Sequence, residues 1–338
     1  MGQIIRRRMT GRLRQALGHA ASGFAGLLLV MASGAAGAAD GFACKAMRFV
    51  APNPPGGATD VLSRMLAPPL AQRLGIPVTV ENRGGASTNI GNEFVARAAP
   101  DGCTLLLGNI SMALNKSLFK LTYDPETDLR AVIQVAAVPI AMFVNPKVSA
   151  SSFDELIALA RASPGKITFS SAGNGTPTHL LVEMINDRAQ TKIVHVPYRG
   201  AGPSTMDVIT GQVSASADSL IPVVPHIRNG NLRAIGITGR SRSPALPEVP
   251  TFAEQGVDYV DLSLWYGVMA PGRTPDDVVE RLNRELSAVL ATPEVEARLT
   301  SLGSTNPRGT PQAFQKLLHD ETVRLGEVIR KAGIVADQ

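Results

Sequence analysis

The chain has 338 residues, 33 Lys+Arg against 28 Asp+Glu, and a 44% hydrophobic share. Five of the arginines and none of the acids lie in residues 1–38, so the rest holds 28 basic against 28 acidic side chains and offers no basic face for nucleic acid. The apolar share excludes a disordered chain, and the length exceeds what one core organises, so two lobes are expected.

Arg6, Arg7, Arg8, Arg12 and Arg14 form a positive leader. Phe24–Met31 is apolar but too short to span a bilayer, and Ala36-Gly37-Ala38 supplies small residues for cleavage. Residues 1–38 therefore read as a secretory signal peptide, with an uncleaved N-terminal anchor as the alternative. No later stretch reaches the length of a membrane helix, so an exported, soluble protein is expected. Two cysteines remain, Cys44 and Cys103, without metal-binding spacing. Each precedes a predicted strand, Met47–Ala51 and Thr104–Gly108. If those strands are neighbours, a disulfide fits; two buried free thiols are the other reading.

Strand and helix patterns alternate from residue 47, which sets an α/β class. Met47–Ala51 runs into a Pro/Gly loop, Pro52–Asp60. A helix follows with Val61, Leu62, Met65, Leu66, Leu70 and Leu74 on one face and Gly75 as its stop. Pro68-Pro69 inside it should kink or break it. Val78–Val80 is a strand, residues 89–98 a helix and Thr104–Gly108 a strand. Ala131–Val144, apolar and interrupted by Pro139, fits a strand passing between lobes. A helix begins at Ser152-Phe153-Asp154-Glu155. Ile167–Ser170 is a strand entering Ser171-Ala172-Gly173-Asn174-Gly175-Thr176-Pro177-Thr178-His179, and a helix over Leu180–Ala189 follows. Ile193–Val196 is the next strand, and Leu262–Ala270 a return strand. The remainder is helical. Thr274 is expected to cap one helix with Pro275 at its first position, and Thr310-Pro311 to open the last, with Phe314, Leu317, Leu318, Leu325 and Val328 inward and Gly333 as its stop. Two crossings give a discontinuous first lobe, 40–142 plus 264–338, and a second lobe, 143–263. Val80–Ser87 and Val196–Ser204 echo each other faintly, as matching loops of two similar lobes would.

No zinc-protease motif, nucleophile elbow, phosphate-binding loop or dinucleotide fingerprint is present, so no cofactor, metal or catalytic set is expected. The positive signal is a pair of Gly-rich loops, one per lobe, each between a strand and a helix. Helix starts expose unpaired amides and partial positive charge, and glycine lets a ligand approach the backbone. Two such loops facing each other, with hydroxyls at Thr59, Thr176 and Thr178, suit a small molecule with polar ends, such as a dicarboxylate. Single residues stay open. Asp60 either caps its helix or holds the loop. His179 makes a structural hydrogen bond or touches ligand. Arg83 and Arg199 brace loops or steer anions. Asp218 accepts a ligand N–H or bonds the hinge. Trp265 packs in the core or lines the cleft.

The segments PNPPGGATD (52–60), VENRGGA (80–86), APDGCTLLLGN (99–109), SSAGNGTPTHL (170–180), HVPYRGAGPS (195–204), GQVSASADS (211–219) and WYGVMAP (265–271) resemble, in order and spacing, the Bug or tripartite tricarboxylate transporter periplasmic substrate-binding proteins. The resemblance extends through 229–256 and covers residues 47–335. It implies a periplasmic, two-lobe Venus-flytrap fold with two interlobe crossings, closing as a monomer on a small carboxylate and serving membrane transporter subunits or a sensor protein. A periplasmic α/β enzyme is the reading from another class. Carried over, the ligand-binding residues are Pro55, Gly56, Gly57, Thr59, Asn109 and Ser111 from the first lobe. From the second they are Ser171, Gly173, Thr176, Thr178, Tyr198, Gly200 and Asp218. The family usually has an aromatic residue at Asn53, glycines near Ser87-Thr88 and an aromatic residue at Cys103. Asn53 therefore implies a ligand offering a hydrogen-bonding group there.

Overall fold

The computed structural model describes residues 44–260 and 263–332. The expected signal peptide, the side chain of Val328 and the stop at Gly333 lie outside the described residues. Two sheets share one strand. The first has the order β2 (Val78–Asn82), β1 (Met47–Ala51), β3 (Thr104–Asn109), β9 (Ser263–Pro271) and the first part of β4 (Leu129–Val144). β1 is parallel to β2 and β3, and β9 runs antiparallel to β3 and β4. The second has the order β8 (Arg233–Ile237), the end of β4, β7 (Ala215–Ser219), β5 (Thr168–Ser171) and β6 (Val194–Pro197).

The shared strand explains the long apolar run. β4 pairs with β9 from Leu129 to Pro139, then with β7 from Ile140 to Val144. Covered on both faces for most of its length, it reads as a near-continuous hydrophobic segment. Pro139 stands where the ladder changes partner, the place where a missing N–H does least damage. The fold is therefore two α/β lobes joined through β4 and β9.

Helices α1 (Ala58–Leu74), α2 (Asn89–Ala96) and α3 (Ser111–Leu118) follow the first three strands, and α4 (Phe153–Ala162) and α5 (Pro177–Ala189) flank β5. Ser152 caps α4 by accepting the Glu155 N–H, while the Glu155 carboxylate accepts from Ser151. Two helices absent from the sequence pattern are α6 (Ala201–Thr210) and α7 (Leu220–Arg228). Their prolines and glycines sit where a loop would use them, but Pro203 lies in a first turn, where the lost N–H would have had no partner. The C-terminal helices α8 (Asp276–Leu290), α9 (Pro293–Ser301) and α10 (Pro311–Ala332) return to the first sheet. α8 packs on α1 and β4, and α10 on α3 and β4. No helix among the described residues is long and apolar enough to cross a membrane.

Two local expectations are corrected. α1 continues through Pro68-Pro69 instead of breaking. Its inner stripe, Leu62, Leu66, Leu70 and Leu74, is buried on both sides of the prolines, while Pro68 is exposed, so the carbonyls left without donors lie toward water. At α8 the capping position is Pro275, and the Thr274 hydroxyl donates back to the Pro271 carbonyl at 2.7 Å. Cys44 and Cys103 form a disulfide, with Cα atoms 5.7 Å apart, as two residues entering adjacent parallel strands allow.

Candidate functional site

The strand-to-helix loops of both lobes meet around one cavity of about 370 Å³. The first-lobe wall is built by the loop between β1 and α1. Asp60, in the first turn of α1, accepts the Gly56 N–H at 3.0 Å, the Arg64 Nε at 2.8 Å and the Asn82 Nδ2 at 3.0 Å. Asn82 also donates to the Asn53 carbonyl at 3.0 Å. Asp60 therefore holds the loop, and the sequence alternatives resolve that way. The loop in turn sets the first-turn amides of α1 at Gly57, Ala58 and Thr59 along the cavity, where no carbonyl of the helix can accept from them.

A chain of hydrogen bonds fixes which way Asn53 points. The Ser111 backbone N–H, which can only donate, reaches Asn109 Oδ1 at 2.9 Å. Asn109 must then present Nδ2, which donates to Asn53 Oδ1 at 3.4 Å, and the Thr59 hydroxyl donates to the same oxygen at 3.0 Å. The group Asn53 has left to offer is its NH₂. The first-lobe wall is thus a set of donors: Asn53 Nδ2, the start of α1 and the Ser111 hydroxyl.

The second-lobe loop is differently disposed. The Ala172 N–H donates to Thr178 Oγ1, the Gly173 N–H to Ser171 Oγ, the Gly175 N–H to His179 Nδ1 and the Thr176 N–H to the Gly173 carbonyl. The Thr176 hydroxyl donates to the Gly173 carbonyl at 2.6 Å. Four loop amides are therefore committed inside the loop. It is a rigid wall more than an open cradle, and its positive-φ glycines, Gly173 at 134° and Gly175 at 74°, make that folding possible.

Ser171 is buried and supports the loop from behind, 2.6 Å from His195 Nε2. Burial, and secondarily the adjacent His179, depress the His195 imidazole to about 4. The two rings stack at 4.2 Å. His179, Glu183 and His195 bring three possible metal ligands within 4.8 Å of one another, but the set does not fit an ion. The Gly175 N–H donates to His179 Nδ1, so the neutral ring carries its proton on Nε2, the nitrogen toward Glu183, and has no lone pair there for an ion. His179 thus makes the structural bond.

Of the residues singled out in the sequence, Asn53, Gly57, Thr59, Asn109, Ser111, Gly173, Thr176, Thr178, Tyr198, Gly200 and Asp218 line the cavity. Pro55 and Gly56 do not; they line a second recess of about 330 Å³ with Gly202, Met206 and His226. The Tyr198 hydroxyl donates to Asp207, and burial together with that carboxylate pushes the phenol up to about 12. Asp218, at the end of β7, is 8% exposed; Oδ1 accepts the Ser219 N–H at 2.7 Å, and Oδ2 has no partner. Burial raises its carboxyl to about 7. Arg199 is the one cationic residue lining the cavity among the described residues, and it is exposed. Arg83 lies elsewhere, over the Phe94 ring at 3.6 Å.

Other lining residues escaped the sequence reading. Leu264 and Tyr266 line the cavity, whereas Trp265 between them is buried edge-on against Phe314 at 5.4 Å. The two-residue alternation of a strand carried that signal once β9 was placed. Phe119 also lines the cavity and had no local signature, whereas Ala86–Thr88, which line it too, adjoin the place where the family usually has glycines.

The two lobes touch through residues without side chains. A Cβ on Gly84 or on Gly200 would come within 2.6 Å of Pro54 Cδ, and one on Gly202 within 2.7 Å of the Pro55 carbonyl. Pro54 is thus held between the two loops that echo each other in the sequence, one from each lobe.

Known proteins share this architecture. A family model, tripartite tricarboxylate transporter family receptor, matches residues 62–334. The chain is 38% identical over 298 residues to Protein BugT of Bordetella pertussis, covering 87% of this chain and 91% of that one. The structure of the periplasmic binding protein BugD superposes with a TM-score of 0.83 at 31% identity, covering 86% of this chain and 98% of that one. An R. palustris protein with adipate gives 0.83 at 31% identity, covering 87% and 99%. With this two-lobe fold and a match along most of its length, the chain belongs to the tripartite tricarboxylate transporter receptor family, whose members are periplasmic binding proteins.

Proposed function

We propose that this protein is a periplasmic receptor that captures a small organic acid between its lobes and delivers it to the membrane subunits of a tripartite tricarboxylate-type transporter. The lobes are 40–142 plus 264–338 and 143–263, hinged where β4 and β9 pass between them. The observation that carries the reading is the donor-lined first-lobe wall facing the interlobe cavity. Asn53 Nδ2, the Ser111 hydroxyl and the start of α1 all present hydrogens, and a carboxylate is the small group that accepts several at once. Gly57, Thr59 and Asn109 shape that pole, with Pro55 and Gly56 holding the loop beneath it. Gly173, Thr176, Thr178, Tyr198 and Gly200 close the opposite wall, with Ser171 bracing it from behind. The family's carboxylate-bound relative supports the ligand class.

The reading is tested by a thermal-shift screen of the periplasmic protein against small mono-, di- and tricarboxylates. A ligand at a hundred times its Kd adds about 2.7 kcal/mol of stability. One or a few acids should raise Tm, and Gly57→Trp should abolish the shift. The substitution is compatible with the backbone, since Gly57 has φ −81° and the nearest atoms to its Cβ site are 3.9 Å away, so the indole fills the cavity without forcing the loop. An unshifted Tm across the whole panel removes the carboxylate reading.

A further inference from the structure

The donors identified above belong to the first lobe. Asp218 stands in the second, at the end of β7. It lines the cavity, is nine-tenths buried, and has a single hydrogen bond, from the Ser219 N–H to Oδ1. A carboxylate can accept about four, and Oδ2 has none. The groups around it do not supply what is missing. Across the β4–β7 ladder it faces Ala141, the titratable side chain against it is Tyr266 of β9, and the charged residue on the cavity wall, Arg199, is exposed. Burial and the Asp218 charge push the Tyr266 phenol far above its ordinary range, so it stays neutral. When ionised, an acid buried this way without a cation is an uncompensated charge.

We infer that the ligand supplies the compensation: a small amino acid whose carboxylate meets the first-lobe donors and whose protonated amine meets Asp218. This rests on the carboxylate reading above and narrows it. A second carboxylate at this pole would place two anions against each other in a cavity of about 370 Å³, unless one took up a proton. A hydroxyl would satisfy Oδ2 but leave the charge. An ammonium does both. The terminal torsion of an aspartate is broad, so its carboxylate turns toward an entering donor at little cost.

Binding constants measured by calorimetry at pH 6 and pH 8 decide it, with four-, five- and six-carbon acids bearing at the far end a methyl, hydroxyl, amino or second carboxyl group, and with the corresponding α-amino acids. An amino acid should bind at least ten-fold tighter than its hydroxyl and carboxyl counterparts. Asp218 has its carboxyl raised to about 7, so it is mostly protonated at pH 6 and ionised at pH 8. Affinity for the amine should therefore rise, by up to about ten-fold, between those values. Asp218→Asn should lose ten-fold or more and flatten the pH dependence. A dicarboxylate that binds best and weakens from pH 6 to pH 8 would overturn the inference, because Asp218 would then be the proton donor. Equal binding of amino and hydroxy acids would overturn it too. The wild-type pH series needs no variant, so it stands even where the Asn variant fails to fold. Failure of every acid at both pH values removes the carboxylate reading and this inference with it, whereas binding without amine preference removes only the inference.

Discussion

Three consecutive residues on the cavity wall have left-handed backbone although none is glycine: Ala86 at φ 46°, Ser87 at 52° and Thr88 at 78°. L-residues resist that region because Cβ crowds the following carbonyl. The strain is held by buried amides. Asn115 Nδ2 donates to the Ser87 carbonyl at 2.7 Å and to Asn89 Oδ1 at 2.8 Å, and Asn92 Nδ2 donates to the Thr88 hydroxyl at 3.1 Å. Ser87 Oγ is buried without a partner. Ser87→Gly removes both the crowding and the orphaned hydroxyl, so it should stabilise the protein by roughly 1 kcal/mol. Urea unfolding checks this, and an unchanged or lower midpoint would mean the segment is not strained. Ala, Ser and Thr carry no compositional mark of left-handed backbone; the sign in the sequence was the resemblance, whose family usually has glycines near Ser87-Thr88.

At the scale of elements, the first lobe is fastened at its start by the Cys44–Cys103 disulfide, which joins the entry ends of β1 and β3 across 59 residues of chain. Closing a loop of that length removes denatured-state entropy equivalent to about 4 kcal/mol, and measured effects of native disulfides run from roughly 2 to 5. The double variant Cys44→Ser, Cys103→Ser should lose stability in that range by denaturant titration, and a reducing agent should reproduce the loss in the wild type. Equal stability with and without reductant would show that the bridge adds nothing. The helix α1 teaches a different lesson. Two prolines in sequence predict a kink or a break, yet four buried leucines spaced along one stripe keep the helix continuous. Propensity was legible there, but packing outweighed it.

At the scale of the whole molecule, the lobes meet where side chains are missing. Gly200 and Gly202 of the second lobe come against Pro54 and Pro55 of the first, with the cavity beside them. This arrangement of the lobes therefore depends on the absence of Cβ atoms at that seam. Gly202 has an unexceptional φ, so Gly202→Ala leaves its own lobe unstrained, but the new methyl would fall 2.7 Å from the Pro55 carbonyl. An overpacked contact of this kind costs about 1–3 kcal/mol. Ligand affinity should fall by ten-fold or more, with the unfolding midpoint of the free protein nearly unchanged. Small-angle scattering with saturating ligand should show the variant more open than the wild type. Wild-type affinity in Gly202→Ala would mean the seam does not govern closure.

The sequence alone determined the α/β class, the strand that passes between lobes and the two Gly-rich loops, because these rest on periodicity and on residues with restricted backbones: apolar runs, prolines and glycines act locally and leave local marks. It also marked eleven of the residues that line the cavity, largely through the family resemblance of the loops that hold them. Only the tertiary structure decided what those loops can do. The orientation of Asn53 depends on a backbone N–H at Ser111, 58 residues away, and the commitment of Ala172, Gly173, Gly175 and Thr176 to bonds within their own loop depends on how that loop folds. Whether Asp218 is paired or orphaned depends on what elements of both lobes bring to one cavity. A hydrogen-bonding group keeps the same letter in a sequence whether it is spent or free; which it is follows from its neighbours in space, and those are fixed by long-range packing.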